Sequence, residues 1–251
     1  MAWGRKGKGS KEKDADDAGD ARSSIIAAFW KLLDTYQLDE ITVSLLASTA
    51  HCGKPTFLYN FSSVQEVGVS AVMAEFPGEQ GAAQDVFRVL SSTSASTLDE
   101  LLRTERWQRV MLLVRRGGRE LVQSVIVAQT DDLWRDALCP DGDGLCQDAR
   151  SIAEFLATGC FSVICNHHRA TSTRGATASV PTVFLSEAMQ SGFEEMCLAQ
   201  GASTREVAIR LWGPDAVMML DRPAAPAPAD GAPAPADSVA CADNSAETCG
   251  K

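Results

Sequence analysis

Cys160, Cys165, His167 and His168 fall within nine residues and are of the types that hold zinc or copper. Their spacing argues against a site. On a helix Cys165 and His168 share a face, but Cys160 lies five positions before Cys165, between the three and four that align best. His167 and His168 also stand beside Arg169, where a helix C-terminus attracts cations. No metal is therefore expected. Covalent catalysis needs a nucleophile beside a base. His51, His167 and His168 are the only histidines, and no Ser/His/acid or Cys/His order can be read from them. No glycine-rich phosphate loop occurs either. Neither enzymatic activity nor a cofactor is expected. The eight cysteines (52, 139, 146, 160, 165, 197, 241 and 249) include no Cys-x-x-Cys pair. They read as reduced, mostly buried small hydrophobes rather than a disulfide framework.

The elements around these side chains set the class. The chain has 251 residues, 45% of them hydrophobic and 22% charged, which gives ample core for one large domain or two small ones. A formal net charge of −10 argues against broad, nonspecific coating of nucleic acid or acidic membranes. No window approaches the roughly 18 apolar residues of a membrane-spanning helix. The start, Met1 to Ser10, is basic but lacks the apolar stretch of a secretory signal. A cytoplasmic location without membrane contact is expected.

Composition divides the chain into four parts. Residues 1–20 carry Arg5, Lys6, Lys8, Lys11 and Lys13, then Asp14, Asp16, Asp17 and Asp20, and read as a flexible charged arm. Residues 21–76 and 77–220 are apolar at helical spacing. Residues 221–251 turn to Pro and Ala and are expected to be disordered. The fold class is all-α, with no convincing strand alternation. Ile25, Phe29, Leu32, Leu33 and Tyr36 form one apolar stripe. Thr42 is placed as an N-cap for a short helix over 43–50, and a second short helix over 54–60 follows. Ser63 with Glu66 has the capping-box spacing for a helix reaching about Phe76. Further helices are predicted at 82–91, 98–116, 119–138, 147–169, 181–200 and 203–220, separated at Gly117–Gly118, Pro140–Gly144 and 171–180.

A helix of some 16 residues followed by two short ones about four residues apart is the layout of a helix-turn-helix. The segment reads Ile41-Thr42-Val43, then Leu46-Ala47, then Lys54-Pro55-Thr56-Phe57-Leu58-Tyr59-Asn60-Phe61, then Ser63 and Glu66. In these residues the chain resembles the TetR family of bacterial transcriptional regulators, over about residues 21–76. The resemblance implies an N-terminal three-helix helix-turn-helix domain that binds DNA, joined to a larger helical effector-binding and dimerisation domain. It implies that Lys54, Pro55, Thr56, Leu58, Tyr59 and Asn60 form the recognition helix, with Thr42 and Ser44 meeting the opposite backbone. Backbone N–H groups and the Thr56 hydroxyl would meet phosphate, and the Pro55 ring could touch a thymine methyl. Phe57 and Phe61 would pin this helix to the Phe29 face. His51, Gly53 and Val64 depart from the glycine, serine and lysine usual in the family, and the unit carries a net charge of −2.

The partners so implied are a double-stranded DNA operator, a second copy of the chain, and an unknown small-molecule effector that releases a repressor. The alternative is a helical dimer that has lost operator binding and acts through protein or ligand contacts. Ile152, Phe155, Leu156, Cys160, Val163 and Ile164, together with Val183, Phe184, Ala188, Phe193, Met196 and Cys197, give apolar stripes suited to a dimer seam. An ordinary internal core is the competing reading for each of them. Trp107, Met111, Trp134 and Phe155 could line an effector cavity.

Overall fold

A long helix, α1 (Gly9–Leu33), opens the computed structural model. The structure describes residues 9–76, 81, 84, 85, 88, 95–174 and 182–213, with backbone alone for 9–20, 95–96, 171–174 and 182–186. α1 takes in residues 9–20 of the charged segment. Ala15, Ala18 and Ala21 favour helix, oppositely charged residues recur three or four positions apart (Lys13 with Asp16 and Asp17), and no proline intervenes. Residues 1–8 and the tail from 214 onward, including all of 221–251, lie outside the described residues.

Every regular element among the described residues is helical. A 3-10 turn (Leu38–Glu40) follows α1, then α2 (Val43–Thr49), α3 (Lys54–Asn60) and α4 (Val64–Glu75). Ile25, Phe29, Leu32 and Leu33 of α1 are buried, and α1 packs on α2, α3 and α4. Tyr36, expected on the same stripe, lies past the end of α1 and is exposed.

The helix predicted over 98–116 is instead two. After α5 (Ala95–Leu102) the chain breaks at Arg103–Thr104, and α6 (Glu105–Leu113) starts anew. The Thr104 hydroxyl donates back to the Leu101 carbonyl (2.7 Å), and Arg103 is closed off by two turn bonds to Asp99 and Glu100. A wide turn, Val114–Gly118, joins α6 to α7 (Arg119–Leu138), so the Gly117–Gly118 break falls where it was read. Then come α8 (Gln147–Arg174), α9 (Thr182–Gln200) and α10 (Thr204–Trp212). The helix predicted over 82–91 falls largely outside the described residues. α8 runs five residues beyond the expected 169, into the Ser/Thr stretch.

The core is continuous from Ile25 to Ala208. α4 meets the larger helical layer through Gly68, where a Cβ would lie 2.7 Å from Leu121 Cδ1 of α7 and 3.3 Å from Phe29 Cζ of α1. A side chain here would require the ends of Leu121 and Phe29 to move aside. Phe76 at the end of α4 then stacks edge-on against Trp107 of α6, with centroids 5.3 Å apart.

Candidate nucleic-acid interface

α2 begins where Thr42 Oγ1 accepts the Leu45 N–H (3.2 Å), as an N-cap should. It ends in a left-handed turn. The Cys52 N–H donates to the Ala47 carbonyl (2.9 Å) and the His51 N–H to the Ser48 carbonyl (3.2 Å), with His51 at φ 54. This is the Schellman pattern, which normally takes glycine at that position. The same bonding recurs after α9, where Gly201 supplies the positive φ. Histidine tolerates this region better than most residues but is strained relative to glycine.

α3 starts on Gly53 with Pro55 in its first turn, where a missing N–H costs nothing. Its inner side is fixed by Phe57 and Phe61, both buried, with ring centroids 6.1 Å apart. Its outer side presents Lys54, Pro55, Thr56, Leu58 and Tyr59, all exposed, Tyr59 at 81%. Thr42 and Ser44 are exposed at the start of α2. Neither α2 nor α3 contains a carboxylate, and Lys54 is the cation on α3. The acids that make the segment acidic lie elsewhere. Glu40 accepts the Gln37 N–H (2.8 Å), and Glu75 pairs with Arg109 of α6 (2.9 Å).

Asn60 differs from its expected role. It is half-buried, and its side-chain amide donates to the Thr56 carbonyl one turn back (2.9 Å). Its own backbone carbonyl accepts from Arg22 Nη1 (3.1 Å). Asn60 therefore closes the end of α3 rather than extending outward with Tyr59.

Arg22 was not singled out by sequence reasoning. From α1 it donates to Asn60 O and to Ser70 Oγ of α4 (2.9 Å), and its guanidinium sits 4.3 Å from the centroid of the Phe61 ring. It clamps three helices at once. Its partners are 38 to 48 residues away in the chain, so no local pattern marks it. Arg116, in the wide turn, similarly donates to the Asp34 carbonyl just past the end of α1 (2.6 Å).

α4 is capped at both arms. Ser63 Oγ accepts the Glu66 N–H (3.1 Å), while Glu66 Oε2 accepts from both the N–H and the hydroxyl of Ser62 (2.7 and 2.6 Å). The reciprocal bond thus lands one residue earlier than the capping-box spacing indicates. The Ser62 hydroxyl and N–H hold the Glu66 carboxyl below its ordinary range. Val64, where the resemblance implies lysine, is buried in the core.

The dimer-seam expectation is corrected in part. Leu156, Cys160 and Ile164 of α8 and Phe193, Met196 and Cys197 of α9 are all buried, because α8 and α9 pack on each other. Cys160 Sγ lies 3.3 Å from Met189 Sδ across that contact. Ile152, Val163 and Ala188 are half-buried. The side chains of Val183 and Phe184 lie outside the described residues. Phe155 of α8 and Leu198 of α9 are exposed, at 76% and 75%. Phe155 cannot line a cavity with Trp107, Met111 and Trp134, which are fully buried.

The Cys/His group also separates. Cys160 faces Met189, whereas His167 Nε2 bonds Asp99 Oδ1 of α5 (2.8 Å). Burial, then Arg115 and His167, push the His168 pKa down. Among the described residues no three His, Cys, Asp or Glu side chains are placed to hold a metal ion. No helix among them is long and apolar enough to cross a membrane.

Comparison with known proteins finds no matching family model, no matching curated protein and no matching solved structure. The reading of the α2–α3 unit therefore rests on its own geometry.

Proposed function

We propose that the chain is a homodimeric, DNA-binding transcriptional regulator of TetR type, a repressor released by a small-molecule effector. One observation carries this reading. α3 is held by Phe57 and Phe61 with a carboxylate-free outer side of Lys54, Pro55, Thr56, Leu58 and Tyr59. An exposed tyrosine and leucine on a short rigid helix have no packing role, whereas a major groove accepts such a helix and its hydroxyls. Thr42 and Ser44 at the start of α2 would meet the flanking backbone. In a dimer, two copies of α3 would sit roughly 34–36 Å apart on a palindromic operator. Phe155 of α8 and Leu198 of α9 are exposed apolar side chains that a second copy would cover.

The test is selection of duplexes from a random library by the purified full-length protein. Enrichment of a palindrome, lost in Tyr59→Ala at unchanged melting temperature, is the expected result. No enrichment at low salt would sink the reading.

The second reading, a helical dimer without operator binding, draws support from exposed Asp39 and Glu40, two to three residues before Thr42. These acids would repel phosphate near the expected contact. It predicts a dimer that enriches no sequence.

A further inference from the structure

We propose that Cys139 and Cys146 are a modification site, a dithiol that hydroperoxides oxidise reversibly to a disulfide. The two cysteines bracket the loop between α7 and α8, Cys139 capping the end of one helix and Cys146 preceding the first residue of the next. The loop doubles back on itself, the Gly142 N–H donating to the Cys139 carbonyl (3.0 Å). Both cysteines then meet on a single side chain. Gln200, at the end of α9, donates through Nε2 to Cys139 Sγ (3.2 Å) and accepts through Oε1 the backbone N–H of Cys146 (2.9 Å). Cys146 Sγ lies 3.5 Å from the Ala199 carbonyl and accepts the Ala149 N–H at 3.5 Å, in the N-cap place of the 28-residue helix α8.

The two sulfurs are suited to different steps. Cys146 is half-buried, within reach of a small oxidant, and its sulfur accepts the Ala149 N–H. Cys139 is buried, and burial, Asp143 and Cys146 push its thiol pKa up. The other thiols on the packed helices are poorer candidates. Burial pushes Cys160 to about 12, and Cys165 and Cys197 are raised by burial as well.

The chemistry balances with one hydroperoxide, ROOH. Cys146 sulfur attacks the terminal peroxide oxygen, the O–O bond breaks, and ROH leaves with the thiol proton, giving a sulfenic acid. Cys139 sulfur then attacks the sulfenyl sulfur and water leaves, carrying the Cys139 proton and the sulfenic hydroxyl. Two thiols are oxidised and one peroxide is reduced to ROH and water.

Trypsin isolates the pair on one peptide, Asp136–Arg150, since no Lys or Arg intervenes. Reduced full-length protein is exposed to hydrogen peroxide, alkylated with a maleimide and digested. The expected peptide carries no maleimide and is two hydrogens lighter. Alkylatable thiols fall from eight to six, and dithiothreitol restores them. A variant with Cys241→Ser and Cys249→Ser should behave the same way. Cys139→Ser should leave Cys146 as a sulfenic acid that dimedone traps, and Cys146→Ser should leave Cys139 fully alkylatable. A peptide that still takes two maleimides after peroxide overturns the proposal. So does peroxide linkage of Cys146 to any cysteine other than Cys139.

Discussion

Replacing Arg22 with leucine tests whether α3 is held from behind. The substitution keeps an apolar stem on α1 and removes the guanidinium that donates to Asn60 O at 3.1 Å and Ser70 Oγ at 2.9 Å and covers the Phe61 ring at 4.3 Å. Arg22 is exposed, so each charge-assisted bond contributes about 0.5–1 kcal/mol rather than its buried worth. The ring contact adds about 0.5–1 kcal/mol at such a site. These terms share one side chain and do not sum fully, so the expected loss is about 2 kcal/mol. Lysine cannot span two acceptors with a planar fork, and Arg22→Lys should recover about half of the loss. Urea unfolding followed by circular dichroism measures both variants, with an unchanged slope showing that the denatured state is unaltered. A double-mutant cycle with Phe61→Leu isolates the ring contact, at about 0.5–1 kcal/mol of coupling. A loss below about 0.5 kcal/mol for Arg22→Leu equals an ordinary surface change and would refute the clamp.

The folded state holds the Glu66 carboxyl below its ordinary 4.5, so its contribution is complete above that pH and vanishes as pH falls through the folded value. Melting temperatures of wild type and Glu66→Gln should therefore differ at neutral pH and converge on acidification, and a gap that widens instead would contradict the assignment. His51→Gly relieves a left-handed residue at φ 54 and should raise stability by about 0.5–1 kcal/mol in chemical denaturation, while branched His51→Val should lower it by about 1–2 kcal/mol. A stabilised valine variant would show that the turn is not strained. Finally, Phe155→Asp should halve the sedimenting mass with the fold intact, whereas Ile164→Asp places a charge in the core and should cost more than about 3 kcal/mol. Unchanged mass in Phe155→Asp at micromolar concentration would remove this face as the dimer contact.

What could be read in advance was local. The bounds of α3 and α7 match the sequence reading because each is bracketed by a turn or cap whose chemistry is written in neighbouring letters: Gly53 and Phe61, Gly118 and Cys139. Thr42 and Ser63 likewise cap the helices their spacing indicates. The break at Arg103–Thr104 escaped notice because neither glycine nor proline marks it. The seam escaped because apolar spacing shows which helical face is buried and not against what. Leu156 is covered by the chain's own α9 at Gly192, and Phe155, its neighbour in sequence, points away. At the candidate interface the outward set on α3 was legible, apart from Asn60, whose amide prefers the Thr56 carbonyl. Arg22 was invisible, since nothing in its neighbourhood foretells a phenyl ring 39 positions on.

The missing side chain at Gly68 has a mechanical meaning. With Leu121 and Phe29 pressed onto its bare Cα, α4 belongs as much to the larger layer as to the short helices it follows. α4 therefore ties α1 and α7 together. Separating α4 from that layer would turn Phe76, which stacks on Trp107, to water, at about 1.5–3 kcal/mol. A calorimeter should record one peak for both halves.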